Sequence, residues 1–197
     1  MCICGHGSTC RRASSRGSSS AQQPRPRQSL VSRGRVRLHE AVSYLIRERQ
    51  DLDLEACAAI LAQVHVDQRY PVRWPDDPRA WLTYADAAAA WVAVRDGQVM
   101  GHVCVARNHP MPPELTLERL FVSPDAAGSG VGGALVDHAS RWAAERGLRL
   151  TLDVAENCAR AIALYGRLGW RLTGRTPIDW GDDAAQFLLH FDAPPAS

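Results

Sequence analysis

Residues Leu117 to Gly133 read LERLFVSPDAAGSGVGG, and their reading decides the fold. Leu117 to Val122 is strand-like, Ser123 opens a short turn loop, and glycines follow at 128, 130, 132 and 133. A helical pattern then starts, with Val131, Ala134, Leu135, Ala139 and Trp142 at the three-to-four spacing of one apolar face. Glycine lacks a Cβ, so Gly128 to Gly133 can take positive φ and let a ligand approach the backbone. The first N–H groups of a helix have no internal partner and carry the positive end of its dipole. Strand, bare amides and helix start together predict an anion site suited to phosphate. A nucleotide P-loop is excluded, because Gly133 is followed by Ala134 and Leu135 and the chain has no lysine. A dinucleotide-binding unit competes: Gly128, Gly130 and Gly133 fit G-x-G-x-x-G, and Asp153 lies about 20 residues on. Against it, Ser123 to Ala127 separate the strand from the glycines, and too little chain follows Asp153 for the remaining strands of a doubly wound sheet.

Outside this stretch the sequence divides into a tail and one domain. Residues 1–37 hold eight of the 23 basic residues and none of the 21 acids, so the remainder is net acidic. That segment is rich in Ser, Arg, Pro and Gln and cannot bury enough apolar surface to offset its ordering entropy, so it is expected to be disordered. Its basicity does not argue for nucleic-acid binding by the domain. Cys2, Cys4, His6 and Cys10 fit no zinc spacing, so no metal site is expected. A start near Val31 or Val36 is the alternative account of the tail, which the N-terminal peptide of the native protein would decide. Residues 38–192 form the expected domain, with 193–197 a frayed end. No apolar run reaches the roughly 20 residues of a membrane span. Cys57, Cys104 and Cys158 fall within apolar patterns and read as core residues, which places the protein in the cytoplasm.

Within the domain, 42–48 alternates as a strand, and Asp51 or Asp53 caps a helix over 54–66. The Pro- and Trp-rich connection from Tyr70 to Leu82 allows a short helix after Pro78. Trp91 to Val94 and Val99 to Ala106 are strands joined by an Asp96-Gly97 hairpin turn, with Gly101 at a bend. Asn108 to Pro113 is a turn loop and Leu115 to Val122 the next strand. The helix over 131–145 ends at Gly147. A strand over 148–154, a helix capped by Asn157 and stopped by Gly169, and strands over 170–173 and 186–191 complete the chain. The order β-α-α-β-β-β-α-β-α-β-β mixes hairpins with two helical crossovers. It predicts an α/β (α+β) fold with a mixed, mainly antiparallel sheet flanked by helices.

The glycine stretch and this order resemble the GNAT (GCN5-related N-acetyltransferase) superfamily, whose pyrophosphate motif is Arg/Gln-x-x-Gly-x-Gly/Ala. Ala127, Gly128, Ser129, Gly130, Val131 and Gly132 sit in that frame, with Ala127 where the family has a side-chain donor. A second stretch, Asn157-Cys-Ala-Arg-Ala161-Ile-Ala-Leu-Tyr165-Gly-Arg-Leu-Gly169-Trp170, is similar to the family's Asn, Ala, Tyr and Gly-aromatic spacing. The resemblance covers about residues 42–192. It implies an acetyl-CoA-dependent N-acetyltransferase acting on a primary amine of a small molecule or peptide, with no nucleic-acid or membrane partner. Homodimers are usual among such proteins. A non-catalytic acyl-CoA-binding regulator on the same fold is the alternative.

The resemblance assigns cofactor contacts to Gly128, Ser129, Gly130, Val131, Gly132 and Gly133 and to the backbone of Leu120, Phe121 and Val122. Asn157 would reach the pantetheine arm, or else act as a plain helix cap. Tyr165 would be the general acid: a thiol leaves with a pKa near 8.5 and tyrosine titrates near 10, so its hydroxyl is protonated at neutral pH. The base must offset the cost of using an amine that is mostly ammonium at pH 7, about 4.6 kcal/mol for a lysine-like group. Glu118 is the first choice and Asp153 the second; His102 and His138 read as packing residues. The acceptor pocket would be built from the Tyr70–Leu82 connection and the 173–186 loop. Tyr70, Trp74, Trp81 and Trp180 would line it, with Asp179, Asp182 and Asp183 drawing in a cation.

Overall fold

The computed structural model describes residues 43–83, 85–109, 114–178 and 187–195. The basic tail with its Cys/His cluster, Pro110 to Pro113, the acidic loop with Asp179, Trp180, Asp182 and Asp183, and Ser197 lie outside them. Seven strands and four helices follow in chain order. They are β1 (Leu45–Glu48), α1 (Leu54–Gln68), α2 (Pro78–Leu82), β2 (Ala87–Arg95), β3 (Gln98–His109), β4 (Glu114–Val122), α3 (Val131–Ala144), β5 (Arg149–Ala155), α4 (Ala159–Arg167), β6 (Arg171–Pro177) and β7 (Phe187–Asp192). The strands make one sheet in the order β1-β2-β3-β4-β5-β7-β6. Among the described residues only β4 and β5 pair in parallel. This is the expected mixed sheet, and it is not the doubly wound parallel sheet a dinucleotide unit requires. No helix among the described residues is long and apolar enough to cross a membrane.

The sheet is covered on two faces by different helices. Alternation along β4 sends Leu115 and Leu117 into a core shared with Val131, Leu135 and Val136 of α3 and Tyr165 of α4. The opposite face packs Val92 and Phe121 against Leu54, Cys57 and Leu61 of α1 and Leu82 of α2. Cys57, Cys104 and Cys158 are buried free thiols. Burial pushes the Cys57 thiol up to about 12, which keeps it protonated and inert.

Local signals account for most of the element ends. Asp96 and Gly97 both have positive φ, 52° and 77°, as a two-residue hairpin turn of right-handed twist requires. Gly147 and Gly169 take the left-handed conformation after α3 and α4. At α4, Trp170 N–H reaches Tyr165 C=O at 3.0 Å and Gly169 N–H reaches Gly166 C=O at 3.2 Å, closing the helix end. Asp77 accepts from the amides of Arg79 and Ala80 and caps α2.

Four expectations need correction, in whole or in part. Asp53 holds the N-cap position of α1 as expected, but its carboxylate makes no bond to that helix and instead takes the Gln50 amide at 2.7 Å and the Arg47 guanidinium at 2.6 and 2.7 Å. Asn157 is not the cap of α4, because Cys158 occupies that position without a side-chain bond to the helix. β2 begins at Ala87 rather than Trp91, since pairing to β3 on one side overrides the weak strand preference of the alanine run. Ala193 is not frayed: its amide donates to Leu150 C=O at 3.0 Å. Gly101 sits at a bulge of β3, where Gly101 and Val99 face Ala93 and Val94, so the expected bend is there, and it also marks a close approach. A Cβ there would lie 2.9 Å from Phe121 O and 3.2 Å from side-chain atoms of Val131 and Leu135, so its absence lets α3 sit tight on β3 and β4.

Candidate active site

β4 and β5 part company halfway along. Their ladder holds only from Glu114–Arg149 to Thr116–Thr151, although β4 runs on to Val122 and β5 to Ala155. The outer edges stay occupied, β4 by β3 as far as Val122–Gly101 and β5 by β7 as far as Ala155–Leu188. The Thr116 and Thr151 hydroxyls meet at 3.3 Å, and Thr151 also donates to Leu115 C=O at 3.2 Å, so the base of the fork is pinned. Just above it β4 carries a bulge: on β3 His102 and Cys104 face Phe121 and Glu118, so three steps on β4 oppose two. Arg119, at φ 51°, absorbs the extra residue. Leu120, Phe121 and Val122 then line one arm of the fork.

The glycine loop closes the mouth of the fork. The internal ladder of α3 begins with Ala134 N–H to Gly130 C=O at 3.0 Å, so the amides of Val131, Gly132 and Gly133 precede it at the positive end of the helix. Gly130 caps α3 at φ 89° and Gly128 sits at φ 78°, both in the left-handed region. A Cβ on Gly132 would come 3.4 Å from Val122 and 3.8 Å from Leu164, so the bare backbone lies between the end of β4 and α4. Such a cradle fits a diphosphate. Ser129 departs from the cradle: its hydroxyl and amide both close the loop on Ala126 C=O, at 2.7 and 3.2 Å. Ala127 is exposed and supplies no donor.

The other expected residues gather around the same gap to different degrees. Tyr165 is 1% exposed and its ring packs at 5.8 Å from Trp170 and 6.2 Å from Phe191. Asn157 is half-buried at the end of β5, where its Oδ1 accepts from Cys158 Sγ at 3.7 Å. Glu118 is half-buried beside the bulge. Asp153 belongs to the other arm and is hydrogen-bonded to His190 Nδ1 at 2.6 Å. Glu114, Thr116, Thr151, Asp153, Thr173 and His190 line a groove of about 280 Å³ next to the fork.

The expected acceptor aromatics are split. Tyr70 is buried in the core under α1, with Trp81 edge-on to it at 6.2 Å. Trp74 is exposed beside His65, 5.2 Å away. His138 packs edge-on against Trp91 at 5.2 Å as expected of a packing residue. Two histidines at the fork were not legible as functional: His190, behind Asp153, and His102, which contacts the bulge. Both pairings arise across strands distant in sequence, and no local pattern announces them.

Residues 54–170 match the Acetyltransferase (GNAT) family. The chain belongs to that family. It is similar to the peptidyl-lysine N-acetyltransferase YjaB of Escherichia coli K12, 34% identical over 98 residues, covering 49% of this chain and 59% of that one. It is also similar to the 5-NmdU N-acetyltransferase of Pseudomonas phage PaMx11, 35% identical over 85 residues, with 43% and 59% covered. The match thus spans 59% of the length of either relative. The GNAT fold itself is shared over nearly a whole chain. The crystal structure of the E. coli ribosomal-protein-S18-alanine N-acetyltransferase superposes with a TM-score of 0.64 at 21% identity, covering 79% of this chain and 96% of that one. The matched residues include β4, the glycine loop and Tyr165.

Proposed function

We propose that this protein transfers an acetyl group from acetyl-CoA to a primary amine of a small molecule or peptide. The observation that carries the reading is a fork between β4 and β5 opening beside the uncapped amides of α3. Those amides, from Gly128 to Gly133 apart from Ser129, hold the coenzyme's diphosphate by hydrogen bonds and the helix dipole. Backbone groups of Leu120, Phe121 and Val122 align the pantetheine arm along β4, and Asn157, relieved of capping duty, reaches it from the β5 side. Bound acetyl-CoA supplies the acetyl group as a thioester.

A tyrosine hydroxyl is ordinarily protonated at neutral pH, and Tyr165 gives its proton to the departing sulfur. Glu118 and Asp153 are the carboxylates flanking the fork, one on each arm, and one of them takes the proton the amine loses. Relatives bearing such names act on peptidyl lysine and on 5-NmdU, which supports a primary amine acceptor here and leaves its carrier open between small molecule and peptide. Buried free thiols at Cys57, Cys104 and Cys158 suit a cytoplasmic enzyme.

Isothermal titration with acetyl-CoA, followed by free-thiol release across a panel of amines, tests the proposal. Saturable binding with thiol release for at least one amine is expected. Binding without release from any amine favours an acyl-CoA-binding regulator, and no binding at high micromolar coenzyme sinks the reading.

A further inference from the structure

His102 is completely buried on β3 and stacks on Phe121 with ring centroids 5.0 Å apart. Its Nδ1 lies 2.9 Å from the Arg119 carbonyl and its Nε2 lies 3.2 Å from Arg49 Nη1. A guanidinium only donates, so Nε2 is the acceptor and Nδ1 carries the hydrogen, which it donates to Arg119 C=O. That pattern requires the neutral imidazole. Burial supplies it by pushing the group down to about 3; the bond to the Arg119 carbonyl opposes this, and the positive charges of Arg49 and Arg119 add to it.

The carbonyl it holds belongs to the bulge residue of β4, whose φ of 51° is unusual for a side chain other than glycine. Nothing local to the sequence favours that conformation, so contacts from outside β4 must impose it. Two further contacts act on the same spot. The Arg119 guanidinium lies 4.4 Å from the Trp81 ring of α2. Arg49 Nη1, besides meeting His102, donates to the Leu82 carbonyl at the end of α2. The bulge is therefore clamped between β3 and α2, and it sits where β4 has already left β5.

We propose that His102 is the positioning residue of the thioester half of the site: by holding the Arg119 carbonyl it fixes the direction in which the backbone of Leu120 to Val122 faces the fork. The diphosphate cradle of Gly128 to Gly133 is built separately by the glycine loop, so the two halves of the coenzyme depend on His102 to different extents. The inference rests on the acetyl-CoA reading.

The test compares two ligands by calorimetry: acetyl-CoA and its nucleotide half, 3′-phospho-ADP. H102F keeps the ring and its stacking on Phe121 but loses both polar contacts; H102N keeps a donor where Nδ1 stands. H102F is expected to bind acetyl-CoA at least tenfold more weakly while binding 3′-phospho-ADP within twofold of wild type, and H102N to recover most of the loss. Should H102F not fold, H102Q replaces it, since its amide reaches the Nε2 position and leaves the Arg119 carbonyl without its donor. Equal losses for both ligands, or none for either, overturn the inference and leave the acetyl-CoA reading standing. A wild-type protein that binds neither ligand removes that reading and this inference together.

Discussion

Replacing Gly101 by alanine tests how tightly the glycine loop is registered on the sheet. The added methyl would meet Phe121 O at 2.9 Å, a backbone atom, and the Val131 and Leu135 side chains at 3.2 Å. Val131 and Leu135 are 2% and 0% exposed, so neither can swing away into solvent. Relief must come from shifts of a few tenths of an ångström both in the β4 backbone at Phe121 and in the first turns of α3. Overpacking of this kind costs about 1–3 kcal/mol, and burying the methyl returns only about 0.8 kcal/mol. A net loss of about 0.2–2 kcal/mol corresponds to a Tm lower by up to roughly 8 °C for a domain of this size. Because the displaced turn carries the amides of Val131, Gly132 and Gly133, acetyl-CoA should also bind several-fold more weakly. Gly97→Ala is the control: no atom lies within 4 Å of its Cβ, so its cost of about 1 kcal/mol comes from positive φ alone and coenzyme affinity stays unchanged. Thermal melts and calorimetry on both variants decide the matter. A G101A protein with wild-type Tm and wild-type affinity would refute the close-packing account of α3.

Tyr165→Phe keeps the ring contacts with Trp170 and Phe191 and removes only the hydroxyl. Thiol release should fall about 100-fold or more while acetyl-CoA affinity holds; an unchanged rate would remove Tyr165 from the chemistry. Glu118→Gln, which removes the carboxylate beside the bulge of β4, should lower kcat/KM at least tenfold and Asp153→Asn less; the reverse order, read from the same assay, would move the base to β5. Asp53 is held below the usual carboxylate range by its bond to Arg47, burial opposing and the Gln50 amide reinforcing. It therefore contributes stability above pH of about 4 that is lost as pH falls through its lower folded value. Urea midpoints should drop on going from pH 5 to 3, and Asp53→Asn, less stable by about 3 kcal/mol at pH 7, should flatten that slope. His102 adds a separate acid-side loss. Its folded pKa of about 3 lies below the unfolded value near 6.5, so the unfolded chain binds more protons between those limits and stability falls as pH drops. Roughly 2 kcal/mol should disappear between pH 6.5 and 4.5, and H102F should not show that loss in the same urea titrations.

Features set by a few neighbouring residues were legible in the sequence. The Asp96-Gly97 turn, the glycine stops at Gly147 and Gly169 and the glycine-rich start of α3 each need a backbone conformation that only certain residues tolerate. Features set by pairing between distant strands were not. The fork depends on where β4 stops pairing with β5, and the bulge at Arg119 contains no glycine to signal it. Ala87 to Ala90 form a strand because β3 lies beside them, which their own composition does not reveal. The cap of α4 lies one step past Asn157, and Asp53 holds the cap position of α1 without bonding to it, since an acidic or amide side chain near a helix start has several amides and cations within reach. The same dependence on distant partners hid His102 and His190, whose contacts come from Arg49, Arg119 and Asp153.

A crystal structure with acetyl-CoA bound tests the central claim most directly. The account predicts the diphosphate about 3 Å from the amides between Gly128 and Gly133, with the thioester between Leu120–Val122 on one arm and Leu152–Ala155 on the other. A coenzyme seated elsewhere, or a fork closed by side chains with the diphosphate away from α3, would contradict it.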